Sequence, residues 1–261
     1  MTTATEDGCF ETKAIHAGYD RRANADAVSV PIYASAAFDL ENAQRGDALA
    51  GGRLDGFEYS RVANPTVDAL ERRLAALEGG VGAIALSSGM AAVTYALMCV
   101  GEGGGRIIAP VNLYGASVDA LGDFLPKFGI HGDFVSDIND LAAVEAAIAG
   151  DTKAIYVESV ANPSTAVADI EGLARLAHRH GIPLIVDNTV PTPYLLRPIE
   201  FGADIVVHST TKGITGHGNA LGGVVVDAGR FDWSNGKFPG LTGKELVISD
   251  QRAGEWESFV S

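Results

Sequence analysis

Seven short apolar runs rich in β-branched residues, each closed by polar residues, constrain this chain more than any other feature. They cover 83–86, 106–109, 132–135, 154–158, 183–187, 204–208 and 223–227, with helical stretches near 90–100, 115–127, 140–149 and 170–180 between them. Such alternation is the pattern of βα units around a mostly parallel sheet, so the expected fold is α/β, a three-layer αβα sandwich. A helix leads into it: Asn64 can cap, Pro65 suits the first helical position, Val67, Leu70, Leu74 and Leu77 recur at helical spacing, and Gly79-Gly80 supplies the stop. The helix near 170–180 opens with Asp169 as a plausible cap and closes on Gly181-Ile182-Pro183. Residues 1–60 lack this periodicity and carry Gly46, Gly51-Gly52 and Gly56 among charges, so they read as an extended arm that needs another surface to pack on. Beyond Pro239 the chain is irregular, with Leu246-Val247-Ile248 its only apolar run, which leaves a compact unit of roughly 62–230.

A length of 261 residues can bury one sizeable core in one or two domains. Nineteen Lys+Arg against 33 Asp+Glu give a net charge of −14, which repels phosphate backbones and anionic membrane surfaces. Nucleic acid and membranes are therefore not expected partners. Cys9 and Cys99 form no CxxC or Cys/His spacing, so no disulfide framework and no metal site are expected, and a reducing cytoplasm fits. The first seven residues lack a basic segment followed by an apolar one, which speaks against export.

In open α/β sheets ligands bind at the carboxyl ends of the strands, so the residues that close each run belong together. They are Ser87-Ser88-Gly89-Met90, Asn112-Leu113-Tyr114, Glu158-Ser159-Val160-Ala161-Asn162-Pro163, Asp187-Asn188-Thr189 and Ser209-Thr210-Thr211-Lys212. One cofactor accounts for the set. Pyridoxal phosphate needs an amine for its aldehyde, a carboxylate facing its ring nitrogen, an anion site for its phosphate and a face for its ring. Lys212, flanked by hydroxyls at the mouth of a buried run, supplies the amine; the other five lysines (Lys13, Lys127, Lys153, Lys237, Lys244) sit in polar edges, turns or the tail. Asp187 can hold the ring nitrogen protonated. Ser88, Gly89 and Met90 stand at a strand-to-helix turn, where free N–H groups and the helix dipole attract phosphate. Ser209 and Thr211 can add hydroxyl donors, Tyr114 an aromatic face and Asn162 an amide for the 3′-oxygen. Taken singly, a strand-end Asp is more often a cap and a Ser-Ser-Gly more often a loop; their joint occurrence in chain order favours the cofactor.

Rival motifs are weak. The 101–106 run, Gly-Glu-Gly-Gly-Gly-Arg, precedes a strand where a dinucleotide fingerprint would follow one. His178 and His180 are two apart on a helix and face different directions, which disfavours a shared metal. No Gly-x-Ser-x-Gly elbow occurs.

Tyr59-Ser60-Arg61 with Asn64-Pro65-Thr66, Ser87-Ser88-Gly89-Met90-Ala91-Ala92, Glu158-Ser159 with Asn162-Pro163, Asp187-Asn188-Thr189 and the Lys212 loop closely resemble the Cys/Met-metabolism pyridoxal-phosphate enzymes, fold-type I proteins like aspartate aminotransferase. The resemblance covers about 12–242. It implies Lys212 as the cofactor-bonding lysine, Asp187 on the pyridine nitrogen, Tyr114 stacked on the ring, and Gly89, Met90, Ser209 and Thr211 on the phosphate. It also implies that Tyr59 and Arg61 reach the phosphate of a neighbouring subunit, hence a homodimer or homotetramer with residues 1–60 as a shared arm and 61–242 as the cofactor-binding domain.

Within the family, the segment 208–223, HSTTKGITGHGNALGG, with Phe231-Asp232-Trp233 and Gly236-Lys237-Phe238-Pro239, is most similar to O-acetylhomoserine sulfhydrylases. The implied reaction is γ-replacement: O-acetyl-L-homoserine with sulfide or a small thiol gives homocysteine or its thioether and acetate. A cystathionine γ-synthase or γ-lyase, and a non-catalytic truncated cofactor-binding protein, are the alternatives. The match dissolves near Gly243, so the family's smaller C-terminal domain, with its arginine for the substrate carboxylate, is expected to be absent. Nothing around Arg252 matches that motif, and Ala116 stands where a glycine is commoner.

Overall fold

The computed structural model describes residues 8–242 and the backbone of two short strands beyond them, Glu245–Val247 and Gly254–Trp256, which pair antiparallel. Lys244, Ile248, Arg252 and most of the expected 243–261 tail lie outside the described residues. The chain divides into two compact units between Leu77 and Glu78.

The N-terminal unit contains α1 (Phe10–His16), α2 (Ala43–Ala50) and nearly all of α3 (Pro65–Glu78). The remainder of its first sixty residues is irregular, with turns, bends and a short 3-10 turn at Arg22–Asn24, and is fastened to α3 by hydrogen bonds. The Tyr33 N–H donates to Thr66 Oγ1, Thr66 Oγ1 donates to Pro31 C=O, and Arg73 Nε donates to Ala17 C=O. These bonds hold the first sixty residues and α3 in one compact unit. Asn64 caps α3 as expected, accepting from Thr66 N–H at 2.9 Å. Leu74 and Leu77 are buried, whereas Val67 and Leu70 stay exposed in this chain.

The second unit is built on a seven-stranded sheet. Its strands are β1 (Gly82–Leu86), β2 (Gly105–Pro110), β3 (Ile130–Val135), β4 (Thr152–Glu158), β5 (Leu184–Asp187), β6 (Ile205–His208) and β7 (Gly223–Asp227). The spatial order is β1-β7-β6-β5-β4-β2-β3. β7 runs antiparallel to β1 and β6, and the other pairs are parallel, so the sheet is mostly parallel. Every strand lies within two residues of the run that announced it.

Helices cover both faces. α4 (Gly89–Gly101) is apolar almost all round, and its Val93, Leu97 and Val100 pack with Ile107, Tyr156, Ile185 and Val207. Side chains alternate along a strand, so Ile155, Leu184, Val186 and Val206 face the other way, where α7 (Ile170–Arg179) lies against β4 and β5. Asp169 caps α7, accepting from Gly172 N–H at 2.9 Å. The stretch expected as one helix over 115–127 is instead three pieces: α5 (Gly115–Asp119), a π turn (Ala120–Phe124) and a 3-10 turn (Leu125–Phe128). Pro126 has no N–H to continue an α-helical ladder, and Gly129 at φ 80° ends the run. α6 (Leu141–Ala147), α8 (Thr192–Leu195) and α9 (Pro239–Thr242) complete the unit.

At the edge where β6 begins, Asp204 accepts from His178 Nε2 and from Leu184 N–H, both at 2.8 Å. Burial pushes its carboxyl above the ordinary value, and those two bonds pull it back. His180, which follows α7, takes a separate partner, Glu145, so the two histidines work apart. Among the described residues no helix is long and apolar enough to cross a membrane.

Candidate active site

The closings of β1, β2, β4, β5 and β6 all fall on one edge of the sheet. Because β7 runs the other way, its start at Gly223 falls on that edge too. Close packing there depends on two glycines. A Cβ on Gly223 would come 2.0 Å from Ser88 O, and one on Gly89 would come 2.4 Å from Ser209 Cβ and 2.8 Å from Ser209 Cα. Gly89→Ala therefore displaces the 209–212 segment or α4, and should cost about 1–3 kcal/mol. Urea unfolding checks this, and an unchanged midpoint would show that the two turns are not in contact.

Between these ends lies a cleft of about 310 Å³. It is lined by Ser88, Gly89, Met90, Tyr114, Asn162, Asp187, Ser209, Thr211 and Lys212, with Val93, Val160, Val190 and Leu221 as apolar wall. Nine of the eleven residues singled out from the sequence thus share one concavity. The remaining two, Tyr59 and Arg61, belong to the N-terminal unit, where the Arg61 guanidinium lies 5.5 Å from the centre of the Tyr59 ring.

Ser88 caps α4, its hydroxyl accepting from Ala91 N–H at 3.1 Å. The N–H groups of Gly89 and Met90 precede the first intrahelical bond, which Ala92 N–H makes to Ser88 C=O, so the helix presents them at its positive end. Ser209 is fixed by its N–H donating to Thr189 Oγ1 at 2.8 Å. Thr211 Oγ1 bonds both the N–H and the C=O of Gly222, tying the lysine loop to the approach to β7. Lys212 is exposed in the cleft.

Asp187 ends β5 on the cleft floor. Its Oδ1 accepts from Thr189 N–H at 2.9 Å, and the Tyr156 hydroxyl lies 3.5 Å from Oδ2. Burial pushes the Asp187 carboxyl above its ordinary value; the Thr189 bonds, the His208 charge and Tyr156 work against that rise. Tyr156 is itself fully buried, and burial followed by the charge of Asp187 holds its hydroxyl well above the usual phenol range.

Glu158, also buried, organises the other wall. Oε1 accepts from Tyr114 N–H at 2.6 Å and Oε2 from Asn162 N–H at 2.8 Å, so one carboxylate places both the aromatic ring and the amide. Burial raises its carboxyl and the two N–H bonds lower it. Sequence reasoning gave Glu158, Thr189 and Tyr156 no role. Glu158 and Thr189 stood in strand-closing motifs, which was a usable signal; Tyr156 read as an ordinary strand residue.

A family model described as Cys/Met metabolism PLP-dependent enzyme matches residues 11–250. The chain is 46% identical over 253 residues to sulfhydrylase FUB7 of Fusarium oxysporum f. sp. lycopersici, covering 96% of this chain and 58% of that protein. It is 45% identical over 225 residues to O-acetyl-L-homoserine sulfhydrylase of Corynebacterium glutamicum, covering 86% of this chain and 52% of that one. A crystal structure from Campylobacter jejuni that carries N'-pyridoxyl-lysine-5'-monophosphate superposes with a TM-score of 0.87 at 37% identity, over 92% of this chain and 60% of that one. The chain thus spans little more than half the length of the curated relatives it matches. Fold, cleft and sequence agree: the chain belongs to the Cys/Met-metabolism PLP-dependent enzyme family, with fold-type I architecture and pyridoxal 5'-phosphate as the family's cofactor.

Proposed function

We propose that this chain belongs to an enzyme of γ-replacement, in which O-acetyl-L-homoserine and sulfide or a small thiol give homocysteine or its thioether and acetate. The observation that carries the reading is the meeting of an exposed lysine, a half-buried carboxylate and a free helix N-terminus around one cleft. Atoms balance in this exchange: hydrosulfide takes the Cγ position, and the C–O bond electrons leave with acetate.

The residues present fit the cofactor. Gly89 and Met90 offer two unbonded N–H groups at a helix N-terminus, suited to a phosphate, with the Ser209 hydroxyl beside them. Asp187 supplies a half-buried carboxylate suited to a protonated ring nitrogen, and Tyr114 and Asn162 are placed by Glu158 to meet the ring's face and its 3′-oxygen. When bound, pyridoxal phosphate supplies an electron-accepting ring that stabilises negative charge at the substrate's α-carbon. Lys212, carried on a short turn from Ser209, would be the base that takes the Cα proton. Tyr114, which lines the cleft, is a second carrier of protons. Asp187 keeps the ring-nitrogen proton in place throughout. Val160, Val190 and Leu221 give the cleft an apolar wall.

The domain assignment goes with this reading: 61–242 forms the cofactor domain, 1–60 an arm that carries Tyr59 and Arg61 to the phosphate of a second subunit, and the working form is a cytoplasmic homodimer or homotetramer. Purified protein given pyridoxal phosphate, O-acetylhomoserine and sulfide should release acetate and homocysteine in equal amounts. Ammonia release from methionine or cystathionine in place of acetate release would overturn the reading.

A further inference from the structure

Behind the cleft, on the opposite face of the sheet, lies a buried polar chain whose members take no part in the proton transfers above. Glu78 and His208 are 130 residues apart in sequence and are 0% and 1% exposed. His208 Nε2 lies 2.5 Å from Glu78 Oε1, and the same oxygen accepts from Asn188 Nδ2 at 3.2 Å. Asn188 Nδ2 also donates to Leu196 C=O at 2.7 Å, and its Oδ1 accepts from Ser159 Oγ at 2.9 Å. Ser159, Asn188 and His208 are the chain neighbours of Glu158, Asp187 and Ser209. Alternation puts each on the far face while its neighbour faces the cleft. The hydrogen-bonded chain therefore ties together the ends of β4, β5 and β6, the three strands that carry most of the cleft's polar groups.

Stability alone does not account for it. A buried carboxylate–imidazole pair is commonly no better than apolar residues of the same volume. This one also leaves Glu78 Oε2 and His208 Nδ1 buried without a hydrogen-bond partner among the described residues. What the arrangement does supply is a fixed spacing between strand ends. We propose that Glu78 and His208 are positioning residues: from behind the sheet they hold Ser209 in register with Asp187, and so hold the cleft's anion donors at a set distance from its carboxylate. The link to cofactor binding rests on the functional reading above.

The test compares Glu78→Ala, Glu78→Gln and, as a control, Asp204→Asn, whose carboxylate fastens the opposite edge of the sheet. Pyridoxal 5'-phosphate is titrated into each apoprotein, and hydrogen exchange is followed without cofactor at the amides of Asn188 and Ser209. Glu78→Ala should weaken cofactor binding by about tenfold, the worth of one hydrogen bond to a charged group, and speed exchange at both amides. Glu78→Gln keeps an acceptor oxygen and should stay within about threefold of wild type. Asp204→Asn should lower the unfolding midpoint and leave affinity unchanged. Should Glu78→Ala not fold, His208→Asn, too short to reach Glu78, should show the same tenfold loss. Unchanged affinity and exchange in Glu78→Ala would overturn the proposal, as would an equal loss of affinity in Asp204→Asn. If wild type binds no cofactor the functional reading falls, and exchange at Asn188 and Ser209 alone decides the positioning role.

Discussion

Lys212→Ala should lower acetate release from O-acetylhomoserine by on the order of a thousandfold or more, because it removes both the amine that engages the cofactor and the base at Cα. The effect is specific to chemistry. Lys212 is exposed in the cleft, so its loss empties no core and leaves no buried group unpaired. The unfolding midpoint of the apoprotein should therefore stay close to wild type, as surface substitutions away from caps and ion pairs usually do. Gly89, Met90 and Asp187 remain, so the variant should still bind pyridoxal phosphate while losing the visible absorption that covalent attachment gives. Added primary amines of small size should restore part of the rate, with larger restoration as pH approaches the amine's own value. Full turnover in Lys212→Ala would remove lysine from the mechanism. A collapsed midpoint would mean instead that the 209–212 segment needs the side chain for folding.

Most of the fold was legible because its signals are local. A run such as 154–158 or 204–208 declares a buried strand by its own residues, and Asn64 and Asp169 declare helix starts by chemistry within three residues of themselves. The break-up of 115–127 into α5, a π turn and a 3-10 turn was partly hidden, since apolar spacing continues past Asp119 and only Pro126 marks a fault. The site was legible for a different reason. In a mostly parallel sheet each strand must deliver its last residue to one edge, so Gly89, Asp187 and Lys212 could be grouped without knowing the strand order. Contacts between distant segments were not legible. Nothing near Glu78 announces His208, and Tyr156 reads as one more aromatic in a strand until β5 sets Asp187 beside it. Tyr59 and Arg61 entered only through family resemblance, and their proposed role concerns a second chain.

Asp187→Asn should reduce turnover by on the order of 100- to 1000-fold, the usual cost of losing one preorganised electrostatic partner, and should make the apoprotein more stable at neutral pH. Both effects have one origin. Burial raises the Asp187 carboxyl above its ordinary value, only partly offset by Thr189, His208 and Tyr156. A carboxyl whose folded value is raised favours folding while protonated; that contribution is complete below the unfolded aspartate value of about 3.9 and is lost as pH rises through the folded value. Once ionised, Asp187 is a half-buried charge in the apoprotein, and its natural counterpart is a cationic ring nitrogen. Asparagine keeps the oxygen that accepts from Thr189 N–H and discards the charge, so the gain in unfolding midpoint should be present at pH 7 and vanish in acid. Cofactor binding should reverse the order, since only the carboxylate attracts the protonated ring. Equal midpoints for the two apoproteins across the whole pH range would show that Asp187 is not held at a cost, and full turnover in Asp187→Asn would remove it from the chemistry. The two outcomes are independent, because the first concerns what the fold endures at that position and the second what the bound ring requires of it.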